Sequence, residues 1–440
     1  MDAGAIIRVV SSPFPAGSRM YQSPLAAAHL LVMQRLLDHR REVASSASEV
    51  RGDEVERLVP ANVELETVPW GVVEEGGEPA CEVILDFGEL EAEYAAIRRA
   101  SGLSDRTDRA VIELVGADAE DLLERLVTNA FAGQASGVVR AFLLERTGRV
   151  LADLVLIRLD DRVLLELDRT DVARVVSHLS GFVFAEDVEI HDRSSEFHRI
   201  DLLGPESPAV IESACGRSLR GGEAVQVRIG DHPVTIFALD TPTSSPVGEP
   251  GIGLVVDRAH AEAVWEIVLA AAPAGRRPVR AIGWNAFNIA RLEAGTPLFH
   301  LDFGPDALPH ETGVLADRVS FRKGCYPGQE VVARMESRGK SKRQVVGLRG
   351  TGEALPVTGA QVFDEEEGVG RQVGVVTGST IAPMRGAAVI ALASIRASHV
   401  APGTRVLVNA EGEMVPAVVT GLDFELPEPP ERADAAGSDS

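Results

Sequence analysis

Residues 111–126 read VIELVGADAEDLLERL, and residues 199–216 read RIDLLGPESPAVIESACG. Each places an acidic residue among aliphatics, then a glycine (Gly116 and Gly204), then a small or polar residue and an acid ahead of a helical pattern. In the first, Leu122, Leu123, Leu126 and Val127 recur at helical spacing, with Asp118 positioned to cap the start. A strand, a glycine turn and a helix, met twice, predict two related α+β modules in tandem, with chance similarity of two such units as the competing reading. Strands are predicted at 138–145, 149–159 and 162–168, joined through Thr147-Gly148 and Asp160-Asp161. Turns that short make neighbouring strands antiparallel.

Outward from this pair, 25–38 (LAAAHLLVMQRLLD) has helical periodicity, and about His39 to Ala80 is charged and rich in Ser and Gly, an irregular insertion. Residues 233–240 and 251–256 read as strands, and 259–272 and 279–294 as helices. Beyond Gln344, β-branched runs alternate with glycines, predicting a small all-β barrel or sandwich. The expected organisation is an N-terminal helix with insertion (1–80), two modules over 81–343 with a boundary near 197, a β-barrel at 344–425, and a disordered acidic tail at 426–440.

Composition narrows the function classes. A chain of 440 residues with 45% hydrophobic content and mean hydropathy of +0.06 can bury large cores. Its formal charge of −23 disfavours general binding to nucleic acid or anionic lipid. Cys81, Cys215 and Cys325 lie far apart without a CxxC pair, which fits a reducing compartment and predicts no self-contained zinc or iron–sulfur site. No segment approaches the about 20 apolar residues of a membrane helix, and no secretory core opens the chain, so a cytoplasmic location is expected.

The chemistry concentrates at 323–330, KGCYPGQE. Lys323 beside Cys325 would favour a thiolate, and Gly324 and Gly328 would let the backbone approach a ligand; the plain alternative is a small buried cysteine. Arg334, Arg338, Lys340, Lys342 and Arg343 follow, either a solvated linker or a collector of anions such as a polyglutamate tail. Arg291 and Glu293 precede Gly295-Thr296-Pro297; two residues apart on a helix, they cannot share a face, so at most one reaches a pocket. Glu249, in VGEPGIG, can line a cleft or cap a strand. The histidines show no metal-binding spacing, and no metal is assigned.

Together with DFGELEAEYAAIRRASGLSD, LVTN, TGRVLADL, VGEPG, NIARLEAGTPLF and GVVTGSTIAP, these segments make residues 81 to 425 resemble a folate-binding superfamily. It includes the aminomethyltransferase (T-protein) of glycine cleavage and the YgfZ-type proteins of iron–sulfur cluster maintenance. The resemblance implies an α+β fold, two modules around a central tetrahydrofolate pocket and a C-terminal β-barrel. Three positions depart from the transferases: Ala130 stands where they carry an aspartate after the asparagine, Gly253 replaces the second glutamate of their GExGxE turn, and Phe287 replaces an arginine. A methyl group cannot accept a proton, so transfer would lose its main polar participant.

KGCYPGQE followed by basic residues is the YgfZ-type pattern. The resemblance therefore implies an accessory factor for iron–sulfur proteins, with Cys325 and Lys323 as the reactive pair. It further implies a tetrahydrofolate, with or without a polyglutamate tail, held by Asn129, Glu249, Arg291, Glu293, Tyr326, Gly328, Gln329, Glu330, Arg334, Arg338, Lys342 and Arg343. Expected partners are folate and iron–sulfur client or assembly proteins. The alternatives are a folate-dependent one-carbon transferase whose acid lies elsewhere, and a folate-binding scaffold without chemistry.

Overall fold

The computed structural model describes residues 8–10, 20–46, 64–71, 80–133, 137–240, 245–339, 341–365 and 370–426. The 426–440 tail, apart from Leu426, lies outside them, as does much of the 39–80 insertion.

The two quoted stretches become equivalent strand–helix units. Arg109–Val115 leads into the helix Ala119–Leu126, and Phe197–Leu203 into Ser207–Cys215. The glycine between strand and helix has φ of 119° at Gly116 and 128° at Gly204, a region closed to most side chains. Space is lacking too: a Cβ on Gly204 would lie 2.5 Å from the Ala100 carbonyl oxygen, and one on Gly116 would lie 2.0 Å from that of Asp187. The Asp118 side chain makes no cap bond to its own helix; it accepts the backbone N–H of Asp187 at 2.8 Å, tying the turn to the next loop.

The first sheet runs Val138–Leu144, Val150–Arg158, Arg162–Asp168, Arg109–Val115, Glu189–Asp192, antiparallel throughout. The second repeats that order as Ala224–Ile229, His232–Ala238, Gly251–Asp257, Phe197–Leu203, then Arg280–Ile282, but Gly102–Asp105 is inserted between the last two. This inserted strand precedes the first module in sequence, so the two units interlock. The helix expected over 279–294 starts only at Trp284, because Arg280–Ile282 pairs in parallel with Gly102–Ser104 and Gly283 packs against the Leu85 backbone.

Each module has its own apolar core, and a third lies between the sheets, where Val138, Ile157 and Leu164 meet Leu203, Phe237 and Val255. Residues 343–420 close a six-stranded barrel, as the glycine-punctuated β-branched runs predicted. Within the insertion, Glu64–Trp70 is a strand that pairs with Cys81–Ile84, so that part of the irregular reading is corrected: its alternating pattern wins.

The N-terminal helix extends over Ala26–Ser46, further than its apolar periodicity indicated, and buries Ala28, His29, Met33 and Leu37. His29 sits edge-on to the rings of Phe87 and Trp265, with Nε2 3.4 Å from Asp105. Asp105 also meets Nε2 of His198 at 2.9 Å, and the Tyr21 hydroxyl bonds Nδ1 of that ring at 2.9 Å. Burial outweighs the attraction of Asp105 and pushes the His29 imidazole down to about 4. No described helix is long and apolar enough to cross a membrane.

Two outcomes are expected. Gly204→Ala should cost about 2–4 kcal/mol, read as a lower urea midpoint with unchanged slope; no loss would mean that the backbone relaxes freely there. The unfolded chain protonates His29 near pH 6.5, the folded one only near 4. Its contribution to stability is therefore complete above 6.5 and declines as pH falls towards 4, by about 2–4 kcal/mol. His29→Leu should flatten that segment of the stability–pH curve measured by urea denaturation, and an unchanged slope would exclude this histidine as the origin.

Candidate functional site

The predicted site residues fall into three sets of contacts. The first surrounds the C-terminal end of the helix Leu90–Arg99. Arg98, on its last turn, donates to Glu293 at 2.7 Å, to the Val247 carbonyl at 2.6 Å and to the Ala290 carbonyl at 3.2 Å. The Tyr94 hydroxyl, one turn earlier, also donates to Glu293, whose second oxygen accepts the Met384 N–H at 2.9 Å. Glu293 thus receives an ionic and two neutral bonds and is buried.

Glu249 lies 3.7 Å from Arg98, and its side chain keeps 27% exposure. Desolvation raises its carboxyl above the ordinary range, against the opposing pull of Arg98. A part-exposed carboxyl with a raised pKa can take up and release a proton near neutrality more readily than an ordinary one. Burial of the phenol and its bond to Glu293 push Tyr94 up to about 12.

Arg291 belongs elsewhere. Its guanidinium meets Asp302 at 2.7 Å, with both side chains buried, and also bonds Asn288 and the Thr296 carbonyl. Asp302 accepts the Thr377 hydroxyl at 2.7 Å, so this pair fastens the helix Trp284–Glu293 to the barrel. Of the two helix residues, one joins Arg98 and the other joins Asp302; neither presents a free charge. The sequence displayed neither of these internal partners.

Two of the three altered positions have structural counterparts. A Cβ on Gly253 would lie 2.3 Å from Nη1 of Arg199, so this guanidinium occupies the space of any side chain there. Arg199 in turn forms an ion pair with Asp201 at 2.6 Å. Phe287 is buried beneath Arg106, whose guanidinium carbon stands 4.7 Å from the ring centre. Arg106 clasps Asp108 through two nitrogens and reaches Asp201 at 2.7 Å. Arg109 pairs with Glu166, whose carboxyl those arginines hold down to about 2 despite burial.

The third set is the KGCYPGQE loop. Cys325 is exposed. Lys323, however, is not a free cation beside it: its ammonium is buried and donates to the carbonyls of Glu124, Val127 and Asn129 at 2.6, 2.7 and 3.0 Å, with the Glu124 carboxylate at 3.4 Å. These groups end the helix Ala119–Leu126, where unpaired carbonyls favour a cation. Lys323 therefore serves as a helix terminator, and burial lowers its own pKa. The expectation that it activates the thiol is corrected on that ground.

The other loop residues divide by burial. Tyr326 is buried, with the Lys323 ammonium 5.7 Å from its ring centre. Gly328, at φ 80°, begins the helix Gln329–Arg338 and leaves no room for a Cβ, which would meet the Glu145 carbonyl oxygen at 2.6 Å. A Cβ on Gly324 would meet nothing, so that glycine is not demanded by space. Gln329 is half-buried, while Glu330, Arg334, Lys342 and Arg343 are exposed. The Arg338 side chain and Lys340 lie outside the described residues. Asn129 joins this set: its carbonyl accepts from Lys323, and its amide donates to the carbonyls of Arg140 and Asp317. Ala130 follows it with no polar side-chain atom to offer.

Tyr94 and Arg98 were missed in the sequence although their i, i+4 spacing in EAEYAAIRR marks one helical face. Arg199 and Asp201 were missed although RIDLL places two charges on one face of an otherwise apolar strand.

Comparison with known proteins agrees with this architecture. Residues 84–323 match the GCVT N-terminal domain, and residues 343–424 match the glycine cleavage T-protein C-terminal barrel domain. The aminomethyltransferase of Streptomyces avermitilis is 30% identical over 354 residues, covering 77% of this chain and 90% of that protein. That of Shouchella clausii is 27% identical over 350 residues, covering 78% and 91%. Among solved structures, the glycine cleavage system aminomethyltransferase T from Bartonella henselae superposes with a TM-score of 0.73 at 21% identity, over 92% of this chain and 98% of that one. By its matched domains and relatives, the chain belongs to the glycine cleavage T-protein family.

Proposed function

We propose that this protein binds tetrahydrofolate and handles a one-carbon unit in the manner of the aminomethyltransferases it is similar to, with Glu249 as its working carboxylate. The observation that supports this reading is the Tyr94–Glu293–Arg98–Glu249 cluster. Glu293 is consumed in holding Arg98 and Tyr94, whereas Glu249 keeps a solvent-facing carboxyl of raised pKa. A group in that state accepts a proton from a reacting nitrogen and returns it, the duty that Ala130 cannot perform. With Ala130 offering no polar atom beside Asn129, turnover slower than that of the relatives is expected.

The test uses the purified full-length chain, equilibrium binding of tetrahydrofolate, and release of methylene-tetrahydrofolate from an aminomethylated donor. Binding with slow turnover that Glu249→Gln lowers at least tenfold is the expected result. Binding without any product would remove the transferase reading and leave a folate-binding protein.

A second reading has its own observation: Cys325 is exposed in the KGCYPGQE loop, followed by exposed Arg334, Lys342 and Arg343 in a chain of net charge −23. A cytoplasmic accessory factor for iron–sulfur proteins would use that thiol to react with, or transiently ligate, a sulfur- or iron-containing species. The basic residues would hold a folate polyglutamate tail or an acidic assembly partner. In cells lacking the native protein, Cys325→Ala should fail to restore iron–sulfur enzyme activity; full rescue would eliminate the thiol. Lys323→Met serves as a companion, since loss of its helix-terminating bonds should lower thermal stability whichever reading holds.

A further inference from the structure

The two modules share one more equivalence. The strands Arg162–Asp168 and Gly251–Asp257 hold the same third place in their sheets, and each runs straight into an arginine, Arg169 and Arg258. The aspartate ending each strand caps the short turn that follows: Asp168 accepts the Thr170 N–H at 2.9 Å, and Asp257 that of Ala259 at 2.8 Å. Each module thus delivers a guanidinium from the same point, and the two converge on one ring. Tyr21, in the N-terminal segment, has the guanidinium carbon of Arg169 3.5 Å and that of Arg258 4.5 Å from its ring centre.

Neither cation is neutralised by an acid. Arg169 donates to the carbonyls of Thr107, Arg109 and Ser194 at 2.7, 2.8 and 2.9 Å, and Arg258 to that of Gln22 at 2.7 Å. Among the described residues no carboxylate stands within 4.0 Å of either. Nearby acids are engaged elsewhere: Asp108 with Arg106, Asp105 with His198, Asp168 with Trp70 and Thr170. Glu196 and Asp257 line a neighbouring hollow that includes Arg258 but not Arg169. Burial lowers the Arg169 pKa against the pull of Tyr21, Cys81 and Asp108, and the charge of Arg258 adds to the lowering.

Both arginines border a cleft of about 630 Å³, with Tyr21, Gln22, Ser194 and Ser195 also on its wall. A guanidinium has five N–H groups, more than these carbonyls take up, and a carbonyl dipole does not cancel a formal charge. Two positive charges therefore face one cleft in a chain of net charge −23. A carboxylate would answer one of them. A phosphomonoester brings close to two negative charges in one group, with three oxygens for the arginine forks and the serine hydroxyls. The overall negative charge repels a long polyanion, so the occupant that fits is small.

We propose that this cleft is an anion site that takes the phosphate group of a small molecule, bound by Arg169 and Arg258 where the two modules and the N-terminal segment meet. It uses none of the residues assigned to folate or to the Cys325 thiol, and it stands whether or not those readings do.

The experiment is isothermal titration calorimetry on the full-length chain at low ionic strength and about pH 7.5, where a phosphomonoester is largely a dianion. Inorganic phosphate, ribose 5-phosphate and acetate are the probes. Both phosphates should saturate a single site, and acetate should bind at least about tenfold more weakly. Arg258→Met should weaken phosphate binding by about tenfold or more, and Arg258→Lys, which keeps the charge without the fork, by less. Arg217→Met, at a surface arginine paired with Glu223, should leave it unchanged. Tighter binding of ribose 5-phosphate would assign the site to a phosphorylated organic molecule, and equal affinities to the phosphate ion itself; either supports the proposal. No saturation up to about 10 mM, acetate binding as tightly as phosphate, or an equal loss in the Arg258→Met and Arg217→Met variants would overturn it, as would undiminished binding in Arg258→Met. Should Arg258→Met fail to fold, the acetate comparison and the lysine variant decide by the same criteria.

Discussion

The two sheets are held in one relative position by a buried chain of opposite charges: Asp108, Arg106, Asp201, Arg199, Glu166 and Arg109. Taking these groups out of water is expensive, and their mutual attraction repays the cost only when every partner is in place. Removing one member of such a set costs about 3–5 kcal/mol because it strands another charge. A purely apolar interface between Val138, Ile157 and Leu164 on one side and Leu203, Phe237 and Val255 on the other could slide by a residue at modest loss. The charges forbid that, since Arg106 lies on the connection into the first sheet and Arg109 opens one of its strands, while Arg199 and Asp201 sit on a central strand of the second.

The same network decides what the interior can present to a ligand. Arg199 takes the space over Gly253, and Arg106 covers Phe287, so both positions are complementary to arginines and not vacant. A glutamate at 253 would collide with a guanidinium that already has Asp201. Within this region carboxylates pair with structural arginines, the Arg140 guanidinium donates to a single carbonyl among the described residues, and Glu249 keeps its carboxyl part-exposed.

Much of this was legible in the residues. The repeated strand–glycine–helix units fixed the modular α+β plan because Gly116 and Gly204 answer to backbone geometry, which is local. The barrel was legible from β-branched periodicity. Partnerships between distant residues were not. Lys323 looked like an activator of Cys325 because sequence neighbours are the only neighbours a sequence displays; its ammonium instead closes a helix that ended almost 200 positions earlier. The partners of Arg291 and Glu293, Asp302 and Arg98, were hidden for the same reason. The strand Gly102–Asp105, inserted in the second sheet, was invisible because its pairing depends on both modules being folded.

Burial of Lys323 also bears on what the exposed loop can be. With the ammonium locked beneath it and Gly328 wedged against the Glu145–Gly148 turn, the loop is anchored at both ends, and Tyr326 is packed into the core shared with the barrel. Cys325 is thus the outward apex of a rigid platform, not a residue on a loose strand. Arg334 and Lys342, further along the chain, are exposed and stand as hydrated surface charges, whereas the Lys323 ammonium is buried. Such charges act over roughly a Debye length and weaken as salt rises, so any activation they provide is screened by ionic strength in a way that a buried partner's would not be.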